Sequence, residues 1–174
     1  MKFSNNHLMI VLITLVSITM VGTILSYLNT PKIGYVQINE VYNEFRLKKE
    51  LEGKLSTVQI ARKGILDSLG MKIEMLSREL TTKKDVSKRS KLDNLKHEYL
   101  LKEQKLAEDN ELLTGQYQEQ IWNQLNQYTK EYSNKHDYDL LLGANGSGTL
   151  LGAKETIDAT EDLIKFVNNR YEGK

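Results

Sequence analysis

The side chains best suited to chemistry are scattered along this sequence rather than gathered. The three histidines, His7, His97 and His136, lie far apart and none has a second ligand at a metal-site spacing, so they are read as solvent-facing. There is no cysteine, which excludes disulfides, thiolate metal sites, cysteine catalysis and lipidation at a lipoprotein cysteine. Gly143-Ala144-Asn145-Gly146-Ser147-Gly148 invites a phosphate-loop reading. It lacks the Lys-Ser/Thr that a P-loop places on the phosphates and does not match G-x-G-x-x-G, so it is read as a turn. Asn145-Gly146-Ser147 formally fits a glycosylation sequon, but Asn-Gly is equally a turn pair. Carboxylates alternate with lysines, as at Glu50, Glu52 and Lys54, in the manner of solvated helix faces. No acid, base or nucleophile constellation forms, and neither an enzyme nor a cofactor is expected.

Two groups of residues remain. Arg78, Lys83, Lys84, Lys88, Arg89 and Lys91 face only Glu79 and Asp85 between positions 78 and 91, a local excess of four positive charges. The whole chain carries 24 basic and 23 acidic residues, net +1, so no polyanion partner is indicated overall and no specific nucleic acid is expected. The basic cluster suits anionic lipid headgroups, acidic protein or nucleic acid, or simply keeps a loop soluble. Tyr99, Tyr117, Tyr128 and Tyr132 recur at helical spacing as seam residues. Trp122 stands off that seam and is a candidate contact for an unfolded apolar chain.

Both groups sit on a long charged stretch from Glu40 to His136 that contains no proline. Leu51, Leu55, Val58, Ile65, Leu69, Ile73, Leu76 and Leu80 recur mostly every three or four residues, with Arg62 at the skipped position. Leu92, Leu95, Tyr99, Leu106, Leu113, Tyr117, Ile121, Leu125, Tyr128 and Tyr132 continue the rhythm, interrupted by Lys102 and Asn110. Each half has one apolar stripe, which predicts two antiparallel helices joined at a tip near 80–90. Val41 to Leu80 would extend about 60 Å and Val86 to Lys135 about 75 Å, too long for a compact bundle. A projecting coiled-coil arm over 40–136 is expected, softened by Gly53, Gly64 and Gly70, each costing about 1 kcal/mol relative to Ala.

Leu8 to Leu28 is a run of 21 residues without a charged side chain, long enough to cross a bilayer. Residues 1–31 are therefore expected to be a signal anchor holding the protein to the inner membrane through 8–28, with a cleaved signal peptide as the alternative. Ile33-Gly34-Tyr35-Val36-Gln37-Ile38 reads as a strand, with Asn39 as the cap of the following helix. Tyr138 to Leu142 reads as a second strand and Thr149 to Ala153 as a third, paired as a hairpin through the glycine loop. Asp158 and Glu161 resemble a capping box opening a final helix, whose Leu163, Ile164, Phe166 and Val167 can cover the sheet. Since an antiparallel pair returns the chain to its origin, 32–39 and 137–174 are expected to form one small α/β body. Its core, and its contact with other copies, would be Ile33, Tyr35, Val36, Ile38, Leu140, Leu141, Leu142, Leu150 and Leu151. A body this small buries little surface and is expected to oligomerise. The fold class is α+β: a long helical hairpin on a small β-rich body behind an N-terminal hydrophobic anchor.

This order of elements resembles the OmpH/Skp family of periplasmic chaperones over about residues 33–168. The likeness rests on Ile33-Gly34-Tyr35-Val36-Gln37-Ile38-Asn39-Glu40-Val41-Tyr42, on Tyr138-Asp139-Leu140-Leu141-Leu142, and on Thr156 to Asn168. The resemblance implies a homotrimer in the periplasm of a Gram-negative bacterium. Its arms would enclose unfolded outer-membrane proteins without ATP, and its basic tips would approach membrane or lipopolysaccharide. The apparent anchor at 8–28 departs from the soluble members. A membrane-anchored coiled-coil scaffold of an envelope assembly is the alternative with the same fold.

Overall fold

The computed structural model describes residues 5–28, 30–82, 85–146, 148 and 150–174, without the side chains of 5–8, 10, 11, 24, 25, 27, 28 and 82. Its elements are α1 (Asn5–Leu28), β1 (Ile33–Gln37), α2 (Ile38–Glu44), α3 (Arg46–Thr82), α4 (Val86–Lys135), β2 (Leu140–Ala144), a short 3₁₀ turn (Glu155–Ile157) and α5 (Thr160–Tyr171). With 37 and 50 residues, α3 and α4 run about 55 and 75 Å and pack antiparallel as the expected arm. Asp85 caps α4, its Oδ1 accepting from the amides of Ser87 at 2.9 Å and Lys88 at 3.2 Å.

Along the arm Leu51, Leu55, Val58, Leu66, Leu69, Ile73, Leu76 and Leu80 of α3 are buried or half-buried, the seam predicted from spacing except that Leu66 stands in place of Ile65. Ile65 itself is exposed. Arg62 and Asn110, the polar interruptions of the two stripes, meet each other: the Arg62 guanidinium donates to Asn110 Oδ1 across the seam. Two apparent defects thus form one satisfied polar layer, whereas Lys102 turns outward to Glu98 at 3.2 Å.

The body departs from expectation in its strand pairing. Instead of a hairpin between the second and third strands, β1 and β2 form a two-stranded parallel sheet in register from Ile33 opposite Leu140 to Gln37 opposite Ala144. Parallel strands need a long crossover, and here the entire helical arm is that connection. The chain turns from α4 into β2 at Asp137, whose φ of 54° is the left-handed conformation of a helix stop. Residues 150–153, expected as a third strand, have no regular structure, and Ser147 and Thr149 lie outside the described residues. The second edge of β1 is covered instead by the stretch before α5, where Ala159 N donates to Tyr35 O at 2.9 Å and Gln37 N to Thr160 Oγ1 at 2.9 Å. Gly34 is required by packing, since a Cβ there would lie 2.7 Å from the Tyr138 ring.

Helix boundaries differ too. The first helix begins after Gln37 rather than at an Asn39 cap, and Asn39 reaches from within it to Asn145 O at 3.2 Å. It breaks at Phe45, which has extended backbone (φ −70°, ψ 123°). No glycine or proline marks that break. The capping box at Asp158 is not formed: α5 starts after Ala159, and Asp158 Oδ1 accepts from Thr160 N at 2.8 Å in a local turn.

The core lies where arm meets body. Val36, Val41, Phe45, Leu47, Leu51, Ile121, Leu125, Tyr132, Ala159, Leu163 and Val167 form one buried cluster drawn from β1 and all four helices of this region. The N-terminal anchor is not supported. Among the described residues no helix is long and apolar enough to cross a membrane, and part of the 8–28 stretch falls on side chains outside the described set.

Candidate functional site

Three surfaces hold the residues singled out from sequence. At the root of the arm, Trp122 on α4 stacks on Tyr42 of α2, ring centroids 4.8 Å apart and planes inclined by 19°. Lys48 Nζ lies 5.3 Å from the same Tyr42 ring. One face of the indole is therefore spent on the fold, and 39% of the residue remains exposed. The seam tyrosines pack as expected, Tyr132 being buried and Tyr128 meeting Phe45 edge-on at 6.3 Å. Burial, with Tyr138 nearby, pushes the Tyr132 phenol well above its ordinary range, so it stays neutral.

Farther out, apolar side chains stand on the solvent faces. Ile60, Met71 and Met75 of α3 are exposed, Ile60 at 70%. Steps of eleven and four residues keep them within about 60° of one helix face. Leu100, Leu101 and Leu112 of α4 are likewise exposed, the last two again eleven apart. They lie off the seam, so seam spacing does not mark them. Their signal was apolar residues out of phase with the stripe on otherwise polar faces.

At the tip, the basic residues are partly neutralised. Arg78 pairs with Glu74, and Lys88 Nζ reaches Glu79 at 2.6 Å. The Lys88 hydrogen bond holds the Glu79 carboxyl below its usual range and raises Lys88 in return. Arg89 and Lys91 are exposed on the first turns of α4. Lys83 and Lys84 lie outside the described residues. The tip is thus less positive in effect than its sequence count.

In the body, the expected core residues divide. Tyr35 and Val36 are buried and Ile38 and Leu141 pack against the core. Ile33, Leu140 and Leu142 are exposed, Leu150 is half-buried, and Leu151 is 93% exposed, so Leu151 is no part of this chain's own core. Tyr35 bonds through its hydroxyl to Asp158, which raises the phenol. Among the described residues no cluster of three His, Cys, Asp or Glu could hold a metal ion. The His136 ring lies tilted by 36° against Tyr132, centroids 4.4 Å apart, while its residue surface stays exposed.

Comparison with known proteins agrees with this architecture. Residues 32–167 match the family model "Outer membrane protein (OmpH-like)". No curated protein matches the chain. Among solved structures, a protein of Caulobacter crescentus CB15, provisionally described as an OmpH-like outer membrane chaperone, superposes with a TM-score of 0.71. That similarity covers 81% of this chain and 86% of the other at 14% identity, a likeness of fold. The family match takes in the body, both arm helices and the joint between them, more than three quarters of the sequence, and the chain belongs to the OmpH-like family.

Proposed function

We propose that this protein is a non-enzymatic, ATP-independent holdase in the periplasm of a Gram-negative bacterium, binding unfolded outer-membrane proteins between the arms of a homotrimer. The observation that carries this reading is the set of apolar residues left exposed along an otherwise polar arm: Ile60, Met71, Met75, Leu100, Leu101 and Leu112. Fully burying such a side chain is worth about 1.5–3 kcal/mol, and partial, shifting contacts are worth less. Several weak contacts can retain a chain without fixing its shape, and the client leaves when its own folding buries the same groups. Trp122 adds a half-exposed aromatic surface at the root. Family membership and the description of the Caulobacter protein support the chaperone class.

Association between copies, which the trimer requires, is supported by the body. Ile33, Leu140, Leu142 and Leu151 are exposed apolar residues on and beside a sheet of only two strands. Contact between bodies would cover them and the outer edge of β2, removing an unpaired strand. Arg78, Lys83, Lys84, Lys88, Arg89 and Lys91 would meet anionic lipid, including lipopolysaccharide, where the tips approach a membrane.

The test uses residues 32–174, which contain the whole buried core. A urea-denatured outer-membrane barrel protein is diluted into buffer without ATP, and aggregation is followed by turbidity with particle mass from light scattering. Suppression at equimolar trimer, with no binding to the native barrel, is expected. A well-folded trimer that suppresses nothing, or binds native and denatured barrel equally, overturns the reading and leaves the arm as a spacer between folded partners.

A further inference from the structure

The chain passes between body and arm twice, and at each crossing a side chain from another element bonds directly to the crossing's backbone, beside the Lys49–Glu44 and Arg46–Glu172 ion pairs that also flank the first. At the first, Phe45 interrupts a helix that would otherwise run from β1 to the tip. Such a break strands the carbonyls ending one helix and the amides beginning the next. Asn168 of α5 serves both sides of it: its Oδ1 accepts from Arg46 N at 2.8 Å and its Nδ2 donates to Glu44 O at 3.1 Å. These two bonds hold together only at one relative orientation of α2 and α3. The Phe45 ring is fully buried, edge-on to Tyr128 at 6.3 Å and Tyr171 at 5.9 Å, so the break is anchored in the core.

At the second crossing, between α4 and β2, the backbone turns through the positive φ of Asp137. Lys32, at the entry to β1, spans it. Its Nζ donates to His136 O at 2.6 Å and its amide donates to Asp139 Oδ2 at 2.6 Å. In return its carbonyl accepts from Asp139 N at 3.0 Å, while the ammonium lies 4.4 Å from the Tyr138 ring. The positive charge sits where the carbonyls of α4 end, the favourable end of the helix dipole.

We infer that Phe45 and Asp137 form a two-point joint between arm and body, latched by the Asn168 carboxamide on one side and Lys32 on the other. The latches set the arm's angle; the buried rings keep it attached when a latch opens. Asn168 and Lys32 are positioning residues, acting on the backbone rather than on any ligand. Only the use of such a joint, opening and closing arms around a client, rests on the holdase reading. The joint itself does not.

The absence of cysteine allows clean spin labelling of the full-length chain. Labels at Glu161→Cys on α5 and Asp93→Cys near the tip report body-to-arm distances by pulsed electron paramagnetic resonance. Labelled protein is diluted into excess unlabelled chain so that pairs within one protomer dominate. Asn168→Leu, which keeps size and removes both bonds, should broaden the distance distribution about twofold with helix content unchanged. Lys32→Met should broaden it less, and the double variant most. A Ser56→Cys and Asp93→Cys pair, both on the arm, should stay as narrow as in the parent. An unchanged body-to-arm distribution overturns the joint, as does equal broadening within the arm, which would mean fraying instead. Should Asn168→Leu fail to fold, Asn168→Asp keeps the acceptor for Arg46 N, loses only the donor to Glu44 O, and puts the same outcomes to the test.

Discussion

The root of the arm and its outer two thirds are made of the same pair of helices, yet they are held by different means. At the root, Leu47, Leu51, Ile121, Leu125 and Tyr132 are buried because α5 lies across α3 and α4 as a third element. Beyond Leu55, among the described residues, only Leu69 and Leu92 reach that burial; Ile65 is exposed and the other seam residues are half-covered. Two helices alone can hide one strip each, so a two-helix arm cannot be dry however regular its stripe. The difference separates two tasks: the root carries stability, and the outer arm offers surface.

The sharpest break of that comparison is a cavity at the root. Phe45→Ala should cost about 3–5 kcal/mol and Leu125→Ala about 2–5 kcal/mol. Leu76→Ala, on the half-buried outer seam, should cost no more than about 1–2 kcal/mol. Urea denaturation followed by circular dichroism measures all three. Equal losses at Leu76 and Leu125 would show one uniform cooperative rod and end the division.

Much of this was legible in the sequence. The arm, its stripe and its tip follow from the spacing of Leu51 to Leu80 and Leu92 to Tyr132, because a helical period repeated over many turns leaves few alternatives. The helix break at Phe45 was not, since Glu44-Phe45-Arg46 contains no breaker. It exists because the ring gains more from the pocket under Tyr128 and Tyr171 than one helical hydrogen bond returns, and Asn168, 123 residues later, satisfies the groups left over. The strand pairing was misread for a similar reason. The glycine-rich turn around Gly146 is local and readable, whereas the pairing of β1 with β2 is decided by where a crossover of some hundred residues returns the chain. Trp122 was visible as the odd aromatic, but its stacking on Tyr42 depends on that same return.

On the outer arm the comparison predicts the reverse of a root mutation: function lost, fold kept. Replacing Ile60, Met71, Met75, Leu100, Leu101 and Leu112 with Gln should remove most aggregation suppression. The denaturation midpoint should shift by no more than about 0.5 kcal/mol per site, as for exposed positions generally. Retained suppression would move the client surface to the root, around Trp122 and Tyr42.

The polar layer at Arg62 and Asn110 gives a smaller effect. Asn110→Leu alone leaves the guanidinium unpaired in a half-buried seam and should cost about 1 kcal/mol. Arg62→Met together with Asn110→Leu restores a continuous apolar strip and should recover that loss, with a gain of up to about 1 kcal/mol. Hydrogen exchange of amides in residues 58–66 and 106–114 would register it as slower opening of the arm. Faster exchange in the double variant would mean that the polar pair fixes the register of the helices.

The smallest effect belongs to the tip, where the two regions differ most in exposure. Changing Lys83, Lys84, Lys88, Arg89 and Lys91 to Gln should leave the denaturation midpoint within about 0.5 kcal/mol and client suppression intact, while abolishing binding to anionic vesicles. Lys88→Gln alone offers a finer reading, because the Lys88 hydrogen bond and charge are what depress the Glu79 carboxyl. A carboxyl depressed in the folded state contributes stability above its unfolded-state value, and that contribution disappears as pH falls through the folded-state value, beneath the ordinary carboxylate range. For so exposed a pair the contribution is slight, so the titration itself is the better observable. Carboxyl NMR should show Glu79 moving up toward the ordinary range in Lys88→Gln, while Glu131, held down at the root chiefly by its hydrogen bond from Arg170, does not move. A shift at both would mean that tip and root are coupled through the arm, and that the half-wet seam between them transmits more than its burial implies.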